Sequence, residues 1–401
     1  MSARDESYGH LPGSGELRRL NAAMVAAGVA AFGALYSTQA VMPAIGAAFG
    51  VSATRSSLTV SAGTGALALA VLPVSVAADV WGRTRVMRIG LGLVAALVML
   101  SAFAPTFTAL VAVRALLGVA VAAVVGVAMG HVGAEVHRRA VGAAMGLYVA
   151  GNSLGGIGGR VVSATVDDLL GWRAAQAAVG VVCLIALIVF WFALPPSTTR
   201  ASRGGRTLLN DLARQLRGPR LLVLYAVPFL LMGGFVAAYN YLTFRLEAAP
   251  FDLPSSVVAL VFLAYLSGTV TSIVAGRLAD RFGRPPVVCG SIAVMAVGLG
   301  CTLPDRLAMV VPGAVLFTAG FFAAHAAASG WVPALARGSA TQASAIYVLA
   351  YYAGSSVFGT GIGLAWTRAG WPGTALSVGV LTALALVAAL IVSAPHRDAP
   401  R

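Results

Sequence analysis

Runs of about 18–25 mostly apolar residues recur about twelve times along this chain of 401 residues. Each run is long enough to cross a bilayer core of roughly 30 Å as an α-helix. Hydrophobic residues make up 59% of the chain and charged residues only 10%, against about 25% charged residues in soluble domains. The sequence therefore predicts an all-α integral membrane protein and excludes a secreted disulfide scaffold, a disordered hub and an ordinary cytosolic enzyme. We place the twelve predicted spans at residues 21–43, 57–78, 86–103, 107–130, 140–162, 174–194, 221–244, 256–276, 286–303, 308–331, 340–364 and 373–393.

The positive charge of the chain lies almost entirely between the predicted spans. All 27 basic residues are arginines, and the formal net charge is +14. With the N-terminus inside, 20 arginines fall on the cytoplasmic side and five on the other, while only Arg114 and Arg160 lie within spans. A nucleic-acid-binding protein would concentrate such charge on a soluble face, so no nucleic acid is expected as a partner. The division instead predicts a multi-pass protein of the bacterial cytoplasmic (inner) membrane with both termini in the cytoplasm.

The chain consists of two halves that repeat each other. Asp79–Arg83 aligns with Asp280–Arg284 at an offset of 201, which also pairs Gln39 with Asn240. Gly171-Trp172 matches Gly370-Trp371 at an offset of 199. An offset held at several points predicts two homologous six-helix bundles in parallel orientation. The predicted order is a cytoplasmic tail (1–20), a first bundle (21–194), a linker (195–220) with a short amphipathic helix around 208–216, a second bundle (221–393) and a cytoplasmic tail (394–401).

The most specific motif lies in the loop between the second and third predicted spans of each half. The second half has the pattern G-x-x-x-D-R-x-G-R in full, and the first half keeps part of it, with Ser75 and Val80 at two of the motif positions. In this motif, and over about residues 20–395, the chain resembles the twelve-span drug/proton antiporter and sugar-efflux branch of the major facilitator superfamily. The resemblance implies loops that latch one state of a rocking transporter, whereas the alternative is a solvated topology loop. The predicted gating-loop residues are Asp79, Gly82, Arg83, Gly276, Asp280, Arg281, Gly283 and Arg284.

The fourth span carries Arg114 in the pattern Arg114-Ala-Leu-Leu-Gly118. This is similar to the R-x-x-x-G pattern of the same family, which implies a role in proton coupling. A charge at this depth costs about 2.5–3.5 kcal/mol on insertion scales, so we expect Arg114 to face a cavity or a partner. The alternative is that the long side chain snorkels to the outer interface.

The fifth span contains glycines that recur every four residues and is similar to the antiporter signature G-x-x-x-G-P-x-x-G-G. Gly156 replaces the proline and Arg160 replaces the last glycine. Glycines at this spacing form a smooth strip for close helix contact. We interpret the strip as helix packing, and its functional alternative is a sliding seam between the halves. The predicted seam residues, with their counterparts in the eleventh span, are Gly151, Gly155, Gly159, Ser355, Gly359 and Gly363.

None of the thirteen acidic residues lies deep within a predicted span. Many exporters of the resembled family use a buried carboxylate, so this pattern disfavours a cationic drug as substrate and leaves the proton carrier unassigned.

The candidate substrate-binding residues are neutral and polar or aromatic. Tyr36 and Gln39, three residues apart, are expected on one helical face. His325 has two readings, a structural histidine or a proton relay. The predicted substrate-binding residues are Gln39, Asn240, Tyr36, Tyr239, Asn152 and His325.

We therefore predict a secondary active transporter that works by alternating access and exports a small neutral or anionic organic compound with proton coupling. Its expected partners are the small-molecule substrate, protons and membrane lipid, and we expect a monomer. The alternatives are proton-coupled uptake of a similar solute and, more remotely, a polytopic membrane enzyme or sensor.

The motif His131-x-x-x-Glu135-x-His137 lies in a short loop without a further ligand pair, so no metal site is predicted. No cofactor motif, P-loop or catalytic constellation is found, and we expect neither a cofactor nor enzymatic activity.

Overall fold

The computed structural model of the chain describes residues 9–197, 218–336 and 340–394. Within these ranges the chain is helical, and its extended pairing is a single parallel bridge between His10 and Val136. Two short 3₁₀ turns, Gln39–Val41 and Leu260–Ala264, interrupt the helices. The α-helices are α1 (Gly15–Tyr36), α2 (Met42–Phe49), α3 (Ala53–Ser56), α4 (Leu58–Trp81), α5 (Arg83–Ser101), α6 (Phe107–Glu135), α7 (Val141–Ala193), α8 (Pro219–Glu247), α9 (Ser255–Ala259), α10 (Tyr265–Phe282), α11 (Arg284–Cys301), α12 (Leu307–Leu335), α13 (Ala340–Gly361) and α14 (Gly363–Ser393).

Ten helical stretches among the described residues are long and apolar enough to cross a membrane. The longest, α7, has 53 residues and consists of two helices that meet at the non-helical residue Gly171. It contains both the fifth and the sixth predicted span. In the same way α14 has a kink at Ala369 and Gly370, so that its first residues complete the eleventh predicted span and the remainder forms the twelfth. The fold is therefore the predicted all-α membrane fold.

The chain packs as two compact units. The first unit comprises Met1–Gly204 with Pro254–Ala259, and the second comprises Gly205–Leu253 with Leu260–Arg401. The two predicted bundles correspond broadly to these units. Most of the predicted linker, including its helix around 208–216, lies outside the described residues, as do residues 1–8 and 395–401 of the two tails. The predicted domain boundaries therefore stay predictions.

The first predicted span is not one continuous helix. Helix α1 begins earlier than predicted, at Gly15, where the Ser14 hydroxyl accepts a hydrogen bond from the Leu17 amide (3.1 Å). It ends at Tyr36, and α2 begins at Met42 with Pro43 in its first turn. A proline lacks the N–H that an uninterrupted helix needs and clashes with the carbonyl four residues before it, but the first turn of a helix accepts it. The break therefore places Gln39 in a 3₁₀ turn that follows the end of α1.

The repeated Gly-Trp pair lies at the same structural position in each half. In the first unit, Arg173 stacks on Trp172, with its guanidinium carbon 4.5 Å from the ring centroid. One nitrogen of this guanidinium donates to the carbonyls of Ala102 and Ala104, both at 2.9 Å. These carbonyls lie in the connection between α5 and α6. The pair therefore fastens the kink of α7 to that connection.

In the second unit the same arrangement is built from a different arginine. Arg245, at the end of α8, lies 5.1 Å from the Trp371 ring centroid. It donates to the carbonyls of Leu303 and Pro304, both at 3.1 Å, between α11 and α12. An arginine over a tryptophan thus fastens the equivalent connection in both units, although the two arginines do not align in the repeat.

Candidate functional site

The first unit brings Tyr36 and Gln39 together through Arg160. The Nε and Nη2 atoms of Arg160 donate to the same Gln39 oxygen, Oε1, at 2.7 and 2.5 Å. Its Nη1 donates to the carbonyl of Gly156 at 2.6 Å, and its guanidinium carbon lies 4.4 Å from the Tyr36 ring centroid. Arg160 is buried, with 2% of its surface exposed. Sequence reasoning did not assign Arg160 to the site, although its replacement of the last glycine of the antiporter signature was the available signal.

The second unit repeats this contact with different chemistry. Asn240, the counterpart of Gln39, donates from Nδ2 to the carbonyl of Gly359 at 3.1 Å. Gly359 is the counterpart of Arg160 at the offset of 199 that also relates the Gly-Trp pairs. The Tyr241 hydroxyl lies 3.3 Å from the same carbonyl. The amide of each half therefore binds the equivalent point of a neighbouring helix, through a side chain in one half and the backbone in the other.

Arg114 is fully buried and lies at the break between α1 and α2. Its Nε donates to the Thr59 carbonyl at 2.9 Å, its Nη1 to the Ala34 carbonyl at 2.9 Å, and its Nη2 to the Leu35 carbonyl. The last four carbonyls of a helix have no partner within the helix, so the guanidinium supplies the donors that the end of α1 lacks. Arg114 thereby positions the turn that carries Gln39.

Asn152 lies apart from the Arg160 group. It is eight residues before Arg160 on α7, which corresponds to about 12 Å along a helix. It packs on α1, because a Cβ placed on Gly28 would lie 2.5 Å from its Oδ1. The Oδ1 of Asn152 and the hydroxyl of Tyr148, one turn earlier, are both buried, and the two side chains interact with each other. These two groups form a separate polar position between α1 and α7.

The glycine strip of α7 lies against α1. A Cβ on Gly151 would lie 2.7 Å from the Val25 carbonyl oxygen, and a Cβ on Gly155 would lie 2.5 Å from that of Val29. Gly159 lies equally tightly against Gly33. Because α1 and α7 both belong to the first unit, the strip packs two helices within one half.

The counterpart strip in the second half is arranged differently. Here the close approach is made by Gly354, where a Cβ would lie 2.6 Å from the Phe229 carbonyl carbon on α8. The hydroxyl of the neighbouring Ser355 is buried without a partner among the described residues. Helix α13 ends at Gly361 and α14 begins at Gly363, after the single residue Ile362, so the place of Gly363 in the strip stays a prediction.

Tyr239 and His325 belong to an aromatic cluster in the second unit. Phe235 and Phe321 stack at its centre with ring centroids 3.9 Å apart. The Tyr239 hydroxyl lies 2.6 Å from the Thr318 hydroxyl, and His325 Nδ1 lies 2.8 Å from the Tyr347 hydroxyl. The predicted substrate-binding residues are those with polar groups, and the phenylalanines that order them were not assigned to the site. The cluster comprises Phe235, Tyr239, Phe262, Tyr265, Phe317, Phe321, Phe322, His325, Tyr347 and Tyr351.

The two copies of the loop motif differ in their ion pairs. In the first copy, Asp79 and Arg83 form an ion pair of 3.0 Å, and Arg83 also donates to the Gly130 carbonyl at 2.9 Å. Gly82 joins the two helices with φ of +93°, a conformation that glycine adopts without steric cost. The copy with the less complete motif therefore contains the aspartate–arginine ion pair.

The second copy keeps the turn but not the ion pair. Gly283 has φ of +85° between α10 and α11, as expected for an equivalent loop. Asp280 makes no ion pair with any described residue, and Arg281 lies over the ring of Phe282 at 5.1 Å. Arg284 lies beside Gly330, the position equivalent to Gly130. Gly276 lies within α10, and a Cβ placed there would meet open space.

The residues of the rejected metal motif lie at the end of α6. His131 and Glu135 are both 1% exposed, and the neighbouring His10 pairs its backbone with that of Glu135 at 2.8 Å. Among the described residues, no group of three or more His, Cys, Asp or Glu side chains is arranged to hold a metal ion.

Comparison with known families agrees with the fold. The family model described as Major Facilitator Superfamily matches residues 24–267 and 248–401. The chain belongs to the major facilitator superfamily.

Relatives in this superfamily match almost end to end. The "Inner membrane transport protein YnfM" of Escherichia coli (strain K12) is 38% identical over 382 residues, covering 95% of this chain and 91% of the relative. The "Uncharacterized MFS-type transporter YybF" of Bacillus subtilis (strain 168) is 37% identical over 379 residues, covering 94% of this chain and 93% of the relative. A crystal structure of the nucleoside transporter NupG (D323A mutant) matches with a TM-score of 0.74 and 13% identity, covering 93% of this chain and 99% of that one. The resemblance to the superfamily is confirmed, and the chain is a multi-pass membrane transporter of this superfamily.

Proposed function

We propose that this major facilitator protein exports a small neutral or anionic organic compound in exchange for protons, by alternating access. Membership of the superfamily supports transport of a small molecule. Export is supported by the glycine strip of α7, which is similar to the antiporter signature and lies in backbone contact with α1. Proton-coupled uptake of a similar solute is the competing direction.

One observation carries the choice of substrate charge. The two charged residues that the sequence places within spans, Arg114 and Arg160, are both arginines. Arginine remains protonated at any physiological pH, and the thirteen acidic residues all lie in tails, loops or span ends. A cationic substrate would therefore meet charge of its own sign, whereas a neutral or anionic compound would not. The residues proposed to hydrogen-bond the substrate are Gln39, Tyr36 and Asn152 in the first unit and Asn240, Tyr239 and His325 in the second.

Coupling and gating are assigned to separate residues. Arg114 cannot carry a proton itself, so its proposed role in coupling is to hold the break in α1 that presents Gln39. The two loop motifs, centred on Asp79–Arg83 and Asp280–Arg284, are proposed to latch one state of the transport cycle.

The transporter is proposed to act as a monomer in the bacterial inner membrane with both termini in the cytoplasm. Reporter fusions within residues 195–220 and at the C-terminus should both give a cytoplasmic signal, and an external signal from either would contradict this topology.

The function is tested by growth of a deletion strain and an overexpressing strain across a panel of neutral, anionic and cationic compounds. We expect overexpression to raise tolerance to a subset of the neutral or anionic compounds and deletion to lower it. A strain that expresses Asp280→Asn at the same level is the matched control for mere overproduction of a membrane protein. Tolerance limited to cations would contradict the substrate charge. Improved growth on a panel compound as sole carbon source, without any gain in tolerance, would favour uptake.

A further inference from the structure

His325 and Tyr347 form a hydrogen-bonded pair inside the aromatic cluster of the second unit. His325 lies on α12 and Tyr347 on α13, and the distance from Nδ1 to the hydroxyl oxygen is 2.8 Å. The same hydroxyl lies 3.3 Å from the backbone carbonyl oxygen of His325. A single hydroxyl therefore has both a ring nitrogen and a carbonyl within hydrogen-bond distance.

This geometry accommodates both protonation states of the imidazole. When Nδ1 is unprotonated, the Tyr347 hydroxyl donates to it. When Nδ1 carries a proton, the nitrogen donates to the hydroxyl oxygen, and the hydroxyl hydrogen turns to the His325 carbonyl. A tyrosine hydroxyl is both a donor and an acceptor, so neither state leaves the pair with two donors or two acceptors in opposition.

The remaining neighbours of the imidazole are aromatic. Phe321 of α12 lies nearly parallel to it at 6.1 Å between centroids, and Tyr351 of α13 lies at 4.8 Å. Tyr347 and Tyr351 are the titratable groups that face the ring, and no acidic or basic side chain among the described residues contacts it. Aromatic faces attract a cation through their ring quadrupole, so a protonated imidazole has a favourable electrostatic partner here.

The repeat provides an internal comparison. Tyr148 is the counterpart of Tyr347 at the offset of 199 and is likewise buried. Its side chain interacts with Asn152, four residues later on the same helix. The residues of α6 that correspond to His325, at offsets of 199 to 201, are Gly126, Val125 and Val124. The histidine–tyrosine pair therefore exists in one half only.

We propose that His325, with Tyr347 as its hydrogen-bond partner, is the site that binds the coupling proton. This inference rests on the proposed proton-coupled function. One proton from water adds to Nδ1, the Nε2–H bond is retained, the Tyr347 hydroxyl hydrogen turns to the carbonyl, and the side chain changes from neutral to +1. Histidine is the residue whose unperturbed titration falls between about pH 5 and 8, and no carboxylate lies deep in a predicted span to perform this task.

Proton binding can be measured without knowledge of the substrate. The purified full-length transporter, labelled with ¹⁵N-histidine in lipid nanodiscs, contains five histidines, and His325→Gln identifies the His325 resonances. We expect these resonances to titrate between about pH 4 and 9 with Nδ1 as the protonated position. Tyr347→Phe should move the midpoint toward acid pH by about half a unit or more, because a hydrogen bond to a charged group is stronger than one to a neutral group.

Tyr148→Phe is the matched control, since it removes the same hydroxyl from the equivalent buried position. It should leave the His325 midpoint unchanged. A His325 that does not titrate, an equal midpoint in wild type and Tyr347→Phe, or the same shift in Tyr148→Phe would each overturn the inference. Because the resonances are read without substrate, a titrating pair in a protein that transports no panel compound would count against the proposed function and leave only proton binding at His325 established.

Discussion

Arg160 directs two hydrogen-bond donors at a single oxygen of Gln39, at 2.7 and 2.5 Å. The equivalent positions of the second half, Gly359 and Asn240, are joined by a hydrogen bond from the asparagine amide to the glycine carbonyl. In the first half this contact joins the turn after α1 to α7, and in the second half it joins α8 to α13. Only the first half has a buried charge at this point. This difference is the main chemical asymmetry between the two repeats.

The contact between Arg160 and Gln39 should be measurable as an energetic coupling. We expect Gln39→Ala and Arg160→Ala to be non-additive, with a coupling of about 1–3 kcal/mol, because hydrogen bonds to charged groups are worth about 1.5–3 kcal/mol. The coupling is obtained from the thermal unfolding of the two single variants and the double variant in one detergent. The cycle of Gln39→Ala with Arg173→Ala is the control, since Arg173 bonds to Ala102 and Ala104 instead, and it should be additive. Additivity in both cycles would contradict the contact.

The contact between α1 and α7 predicts a sharp difference between two glycines of the same helix. A Cβ on Gly155 would lie 2.5 Å from the Val29 carbonyl oxygen, whereas a Cβ on Gly158 would have no atom within 4 Å. Gly155→Ala should force the helices apart and lower the yield of folded protein and its unfolding temperature. Gly158→Ala, in the same helix, should behave as wild type or better, since alanine is the stronger helix former. Size-exclusion profiles and unfolding temperatures of both variants test this, and equal behaviour would refute the close packing.

The fold was largely predictable because its determinants are local and repeated. Runs of apolar residues predicted the helices, and the offsets of 199 and 201 predicted that Gln39 and Asn240 occupy equivalent places. The break of α1 was less accessible, because Pro43 falls at the end of the predicted span 21–43. The first turn of a new helix tolerates proline equally well, and the sequence alone does not distinguish these two positions.

The contacts of the candidate site depend on tertiary packing, which the sequence pattern does not contain. Arg173 and Arg245 perform the same task on Trp172 and Trp371 but do not align in the repeat, so an offset could not pair them. Arg160 was visible as a departure from the antiporter signature, yet its partner Gln39 is 121 residues away. Long-range pairs of this kind require the helices to be placed first.

Arg114 should be essential for the shape of the α1 break. Arg114→Lys keeps the charge but loses the planar fork that reaches Thr59, Ala34 and Leu35, and Arg114→Ala loses both. We expect both variants to unfold at lower temperature than wild type, with Ala the more severe, because carbonyls at the end of α1 lose their donors. If Arg114 also serves coupling, gradient-driven flux should fall more than substrate exchange in Arg114→Lys. Wild-type stability and wild-type pH dependence of flux in Arg114→Ala would exclude both roles.

The loop motifs should affect transport without affecting stability. Asp280 makes no ion pair with the described residues, and the Asp79–Arg83 pair is a third to a half exposed. Exposed pairs contribute at most about 1 kcal/mol to stability, so Asp280→Asn and Asp79→Asn should unfold near the wild-type temperature. Both should nevertheless lose most of the transport rate if the loops latch a conformational state. Unchanged flux at equal expression would reduce the motif to a topology signal.

The most direct test of proton-coupled export uses inside-out membrane vesicles and the compound to which overexpression gives the greatest resistance. With the lumen made acidic, the wild-type transporter should accumulate this compound inside the vesicles while the lumen pH rises, and dissipating the gradient should release it. His325→Gln should abolish the gradient-driven accumulation. Accumulation that persists without a gradient, or that leaves the lumen pH unchanged, would contradict the account.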